Sequence, residues 1–297
     1  MTSLNPRVVL VSRETEYAAL LAKHGTRGQA EFFLTTRGQN IEELEARDAL
    51  QSRALTAAKG AIPADWSYVQ VTRDDLNRFL FGPNDIIVPV GLDGLVANLA
   101  KYLDGQPVIG VTPDPASSEG VLSRHSVEAL PKLLKAVAHA DVEIQARTMV
   151  EAHAGQGLSL LALNELFIGH RSHQSARYVV QSAGAQEFQS SSGMIVATGT
   201  GLTGWAKSIM VANHRAFDIA PEENRAAFFA REPWPSRTSG CAIDAGEIRD
   251  NGDFSMLSRI NEGGVIFADG IEQDFLPFDW GVQVEVRLAD KKLSLVV

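Results

Sequence analysis

Three short clusters of small and polar residues interrupt apolar runs in this chain, and each has residue types suited to holding a ligand. The first is Gly91-Leu92-Asp93-Gly94, which ends the run Asp85–Val90 (DIIVPV) and opens a helical run, LVANLAKYL. A glycine turn between a buried strand and a helix lets backbone N–H groups approach an anion, and the helix dipole favours negative charge there. An aspartate in such a turn stands at the carboxyl end of a strand, where open α/β sheets bind ligands. It could hold Mg²⁺ or accept a proton from a hydroxyl nucleophile. Asp-Gly also suits a plain turn, since both residues tolerate unusual backbone angles.

The second cluster is Asn164-Glu165, set inside LLALNELFIG. Burying a carboxylate without partners costs several kcal/mol, so either the strand ends there or the pair faces a polar ligand such as a ribose diol. The third is Ala197–Ser208, ATGTGLTGWAKS. Its glycines allow close backbone approach, its hydroxyls give short-range hydrogen bonds, and Trp205 offers a flat stacking face. It lacks the Lys-Ser/Thr ending of a P-loop, and a Gly-rich strand-to-helix connection would read the same way. His170 and His173 lie close in sequence, but a loop location and the lack of further ligands argue against a metal site.

The elements that must position these clusters change character along the chain. Valine-rich runs at Arg7–Ser12, Ser67–Val71, Asp85–Val90 and Pro107–Val111 alternate with helical spacing at Thr15–Ala22, Gln39–Ala58 and Arg73–Leu80, the last with Thr72 placed to cap it. Such alternation implies a parallel α/β sheet. After the helical stretch Ser126–Ala140, strand-like runs dominate: LSLLALNELFIG, ARYVVQSA, SGMIVATG, GGVIFADG, VQVEVRL and KLSLVV, with one amphipathic helix at Gly204–His214. The expected organisation is an α/β domain over residues 1–125 and a β-rich domain over 126–280. Strands in 281–297 return to pack on the domains.

The 297 residues carry 27 Lys and Arg against 36 Asp and Glu, a formal charge of −9, with 45% hydrophobic residues. That composition excludes a disordered or collagen-like chain. Without a basic patch, nucleic acid is not an expected partner. A single cysteine, Cys241, excludes an intrachain disulfide and a Cys-based zinc site. No apolar run reaches the roughly 18–20 residues that span a bilayer. The start, MTSLNPRVVLVSRETEY, lacks a basic stretch followed by a signal-like apolar region, so no membrane partner and a cytoplasmic location are expected.

Taken in order, the clusters resemble those of the NAD kinase family, which shows Gly-Gly-Asp-Gly after a buried strand, an Asn-containing loop, an Asn-Glu or Asn-Asp pair, a Thr/Gly/Ser turn with an aromatic residue, and a late Asp-Gly. The counterparts are Gly91–Gly94, the segment PVIGVTPDPASSEG, Asn164-Glu165, Thr198–Ser208 and Asp269-Gly270. Asp114-Pro115, Ser118–Gly120, the Ala-Leu-Asn-Glu run and Arg231-Glu232-Pro233 are most similar to the mitochondrial-type branch of animal NAD kinases. The resemblance implies a dinucleotide site in the cleft of a two-domain fold, with ATP and NAD as substrates, Mg²⁺ accompanying ATP, and a homodimer or tetramer formed through the β-rich domain. It implies that Asp93 activates the adenosine-ribose 2′-hydroxyl and that Gly91, Leu92 and Gly94 form the phosphate loop. Asn164 and Glu165 would hold the ribose and pyrophosphate region, and Thr200, Thr203, Trp205 and Ser208 would line the pocket for a base and its sugar. The chain departs from the family at Leu92, where the second glycine stands, and at Leu95, where threonine is usual. If the second glycine needs a positive φ, leucine would obstruct the donor. A kinase of the same fold acting on another nucleoside, sugar or lipid hydroxyl, and a non-catalytic dinucleotide-binding protein, are the alternatives. Asp93→Asn is expected to leave folding nearly unchanged.

Overall fold

A computed structural model of the chain describes residues 5–116, 120–249 and 254–297. The chain forms two compact units, Met1–Gln145 with Ser294–Val297, and Ala146–Leu293.

In the first unit the order is β1 (Val8–Ser12), α1 (Glu16–His24), α2 (Arg27–Thr35), α3 (Ile41–Gly60), β2 (Tyr68–Thr72), β3 (Ile86–Pro89), α4 (Asp93–Ala100), β4 (Pro107–Val108) and α5 (Leu130–Ala138). The strands pair in parallel in the order β2-β1-β3-β4, and Ser294 and Leu295 add a parallel neighbour beyond β4. β1 and β3 are buried along their whole lengths, which is why they read as unbroken apolar runs. Val8, Leu10, Ile86, Val88, Ile109 and Val111 form one core with Ala54 and Ala58 of α3 and Leu130 and Leu134 of α5. β2 lies on one side of β1 and β3 on the other, so the strand order switches beside β1, and α/β sheets bind ligands at the carboxyl ends of such strands. The turn Gly91–Gly94 follows the carboxyl end of β3.

Three local expectations change. Residues Arg73–Arg78 form a 3₁₀ helix, and the Thr72 hydroxyl donates to the Asp75 carboxylate at 2.6 Å instead of capping a backbone N–H. The strand expected over Pro107–Val111 keeps only two residues of ladder, with Val111 making isolated bridges to Val90 and His125. α5 packs on the first sheet, so the structure's division falls at Gln145, beyond the boundary expected at residue 125.

The second unit is antiparallel. It contains β5 (Ile144–Ala154) from Ala146 on, β6 (Leu158–Ala162), β7 (Glu165–His170), β8 (Ala176–Ser182), β9 (Ala185–Ser191), β10 (Met194–Thr198), α6 (Trp205–Ala212), β11 (Arg225–Ala230), β12 (Ala245–Arg249), β13 (Ser255–Ser258), β14 (Gly264–Ala268), β15 (Phe275–Pro277) and β16 (Gln283–Val296) as far as Leu293. One sheet runs β12-β11-β10-β7-β14-β15. In the other, β9, β8, β13 and β16 are successive neighbours, and β5 pairs with both β16 and β6. Tyr178, Phe228, Phe254, Phe278, Val284 and Val286 belong to the core shared by the two sheets.

Side chains alternate across a strand. Leu166 and Ile168 of β7 therefore enter that shared core, while Phe167 joins Ile195, Ala197, Phe229, Val265 and Phe267 under α6. Glu165 shares the face of Phe167. The run LSLLALNELFIG is thus two strands that belong to different sheets, and the chain changes sheet at Leu163-Asn164.

Candidate functional site

The first-unit turn is held from three directions. Gln51 of α3 donates to the Val90 carbonyl at 2.7 Å, and the Gly91 N–H donates to Val111 at 2.9 Å. Leu92 has φ −81° and ψ 165°, a conformation any residue adopts, so leucine needs no positive φ here, and its side chain is 56% exposed. Asp93 is the first residue of α4. Its Oδ2 accepts the Val121 N–H at 2.9 Å, and its Oδ1 accepts those of Leu122 and Ser123 at 3.1 and 2.7 Å. A carboxylate offers about four acceptor positions, so Asp93 spends three on the loop and keeps one. An asparagine could not replace it silently: its amide would point donors at donors. The expectation that Asp93→Asn leaves folding unchanged is therefore corrected.

The loop so held lies against the strand. A Cβ on Gly110 would fall onto the Leu122 carbonyl, so only glycine permits this approach. Gly94 has open space where a Cβ would stand, and Leu95 is buried. Of the Ser118–Gly120 motif, Ser118 and Glu119 lie outside the described residues.

The second-unit cluster is built on the corner where β6 gives way to β7. Every backbone polar group there has a partner, as a buried corner requires. The N–H groups of Leu163, Asn164 and Glu165 donate to the Asp269 carboxylate at 3.0, 2.7 and 3.2 Å. The Thr198 hydroxyl donates to Leu163 O at 2.6 Å, and Thr198 N–H to Asn164 O at 3.0 Å. The Glu165 carbonyl accepts the Asp269 N–H at 3.0 Å. The Asn164 and Glu165 side chains make no hydrogen bond to another described residue, so their polar atoms are available. Burial, and secondarily the Asp269 charge, push the Glu165 carboxyl up to about 7.

The glycines of the Thr-Gly turn serve packing. A Cβ on Gly201 would fall onto the Asn164 carbonyl, and one on Gly199 onto the backbone of Ile219 and Ala220. Thr200 is buried and its hydroxyl accepts from Arg147 at 3.3 Å. Thr203 and Ser208 are exposed, with hydroxyls donating to Thr200 O and Trp205 O at 2.8 Å each. Trp205 stacks on Phe167, with centroids 5.9 Å apart and planes at 12°, and the Arg231 guanidinium lies 5.0 Å from its ring centre. Phe167 also stacks on Phe267 at 4.7 Å. These rings line a cavity of about 450 Å³ whose rim includes Arg171, Arg231 and Glu272.

The structure thus gathers Asn164, Glu165, Thr203 and Trp205 at one corner of the second unit, with Ser208 one turn further along α6. It places Thr200 beneath them, and sets Gly91, Leu92, Asp93 and Gly94 in the first unit. Phe167 and Phe267, which line this cavity, lie outside the three clusters singled out in the sequence. The available signal was the period of two: Phe167 follows Glu165 on the same face, about 7 Å along the strand. No group of three or more His, Cys, Asp or Glu side chains that could hold a metal ion occurs among the described residues.

No protein-family model and no curated protein matches the sequence. Solved structures are similar to it in fold. An NAD kinase from Archaeoglobus fulgidus in complex with ATP is similar over 98% of this chain and 93% of its own, at 18% identity and a TM-score of 0.60. Yeast NADH kinase complexed with NADH is similar over 99% of this chain and 84% of its own, at 14% identity and a TM-score of 0.60. The chain has the fold of these kinases: an α/β unit with a parallel sheet, and a β-rich antiparallel unit.

Proposed function

We propose that this protein is an NAD kinase, transferring the γ-phosphoryl group of ATP to the adenosine-ribose 2′-hydroxyl of NAD or NADH. The observation that carries the reading is the order of the motifs along a shared fold. The motif residues that resemble the family's stand at the end of β3, at the β6–β7 corner and at the start of α6, within a fold shared with two such kinases along nearly its whole length.

In this reading the remaining acceptor position of Asp93 takes the acceptor hydroxyl, orienting it and receiving its proton as the phosphoryl group arrives. Asn164 and Glu165, whose side chains are unspent, hold the ribose. A base then lies about one residue pair along β7, against Phe167, Trp205 and Phe267, where flat rings offer stacking. Thr203 and Ser208 keep acceptor lone pairs for the sugar, while Thr200 supports the turn. Gly91, Leu92 and Gly94 would face the donor phosphates. Mg²⁺ would enter with ATP as part of the substrate, since magnesium sites of this kind use one or two carboxylates plus phosphate oxygens. Phosphoryl transfer needs positioning and charge neutralisation more than covalent chemistry, which suits a site built of turns.

Titration calorimetry with NAD, NADH and ATP·Mg²⁺ tests the reading. Both a dinucleotide and ATP should bind. Dinucleotide binding without ATP binding would replace it with the non-catalytic alternative.

A further inference from the structure

We propose that Asp269 is a positioning residue for the Asn164–Glu165 pair, acting through the three consecutive backbone N–H groups of Leu163, Asn164 and Glu165. The functional part of this inference rests on the reading of that pair as the ribose-holding part of the site.

The corner needs such a residue. Leaving β6 for a strand in the other sheet, the chain takes Leu163 and Asn164 out of both ladders, so their N–H groups require another acceptor. Asp269, more than a hundred residues away, supplies it for all three (104 to 106 residues in separation). It does so from a left-handed backbone, φ 50°, which is costly for a residue with a side chain and persists only where surroundings over-determine it. Its own N–H donates back to Glu165, and Gly270 follows at φ 73°. The clamp thus consumes the corner's backbone groups and leaves the two side chains free for a ligand.

Asp269 also brings a negative charge to Glu165. The neighbouring strands β10 and β14 carry no ionisable side chain, α6 carries Lys207, which is exposed, and Arg147 of β5 reaches Thr200. Burial and this charge together hold Glu165 protonated up to about pH 7. A neutral carboxyl can donate to one ribose oxygen while accepting from another, and it places no second negative charge near the dinucleotide phosphates.

The test uses the whole chain with ¹³C-labelled glutamate carboxyls, titrated by NMR without ligand, with Glu165→Gln to assign the resonance. Glu165 should titrate near 7 in the parent and lower in Asp269→Asn. Hydrogen exchange across residues 160–168 of the parent should be slow, which needs no variant to fold. Asp269→Asn should weaken NAD binding by about tenfold or more, with its pH profile displaced downward. Glu165 titrating in the ordinary carboxyl range, a titration indifferent to Asp269, or fast exchange at Leu163–Glu165 in the parent would each overturn the proposal. A parent that passes the titration and exchange tests yet binds no NAD would support the clamp and remove the ribose reading alone.

Discussion

Asp93 and Asp269 each precede a glycine and each close a loop by accepting three consecutive N–H groups, so neither can be changed as a bare charge. For Asp93→Asn, leaving buried donors unsatisfied should cost about 1–3 kcal/mol in denaturant unfolding. Phosphoryl transfer should fall by about a hundredfold or more, with dinucleotide affinity changed much less. An unfolding midpoint equal to the parent's would remove the clamp from the account. Glu165 gives a pH prediction of definite sign. Its folded value lies near 7, above the ordinary 4.5. The stability it contributes is therefore complete below the unfolded value and is lost as pH rises through about 7, to an extent of order 3 kcal/mol. Glu165→Gln should narrow the stability difference between pH 5 and pH 8. Glu45 and Glu285, held low by arginines, and Glu223, held low by the Ala220 N–H and then by Arg225, act in the opposite direction below the ordinary carboxylate range and cancel in the comparison of parent and variant. A parent and variant with the same pH dependence would contradict the assignment.

The turns show which glycines serve the fold. Gly201→Ala would force a methyl onto the Asn164 carbonyl, and should destabilise the protein by about 2–4 kcal/mol and disturb the corner. Gly94→Ala meets open space within the first turn of α4, so unfolding should be unchanged or up to about 1 kcal/mol more favourable to the native state. If the phosphate-loop reading holds, the same variant raises KM for ATP. A full-activity Gly94→Ala would place the donor elsewhere. The sequence exposed these elements unevenly. β1 and β3 were legible because burial on both faces leaves only apolar residues. β9 was not, because AQEFQSS is polar and half exposed, and β11 was not, because its RAAFFA is short and framed by charged residues. α2 is a polar helix whose buried face amounts to Ala30 and Leu34. The Asn164-Glu165 interruption announced a strand end or a ligand; β6 does end before it, and the side chains are left unspent. The clamps on both corners were invisible, since nothing in local pattern links Asp269 to Leu163 or Asp93 to Ser123.

The whole chain carries a charge of −9, which favours solubility but leaves apolar surface to be covered. In the second unit Leu158, Trp234, Phe275 and Trp280 are exposed, and interface cores are enriched in such side chains. We propose a homodimer or larger assembly through this unit. Light scattering at micromolar concentration should give at least twice the chain mass of 32.1 kDa, and the monomer mass alone would contradict it. The fold is shared with an NAD kinase solved in complex with ATP and an NADH kinase solved with NADH. The most direct measurement incubates the purified protein with ATP·Mg²⁺ and either NAD or NADH, and follows the product by ³¹P NMR. The account predicts a new phosphomonoester on the adenosine-ribose 2′-oxygen and loss of the γ-phosphoryl group of ATP. Folded protein that binds dinucleotide and ATP but forms no 2′-phosphate would contradict it.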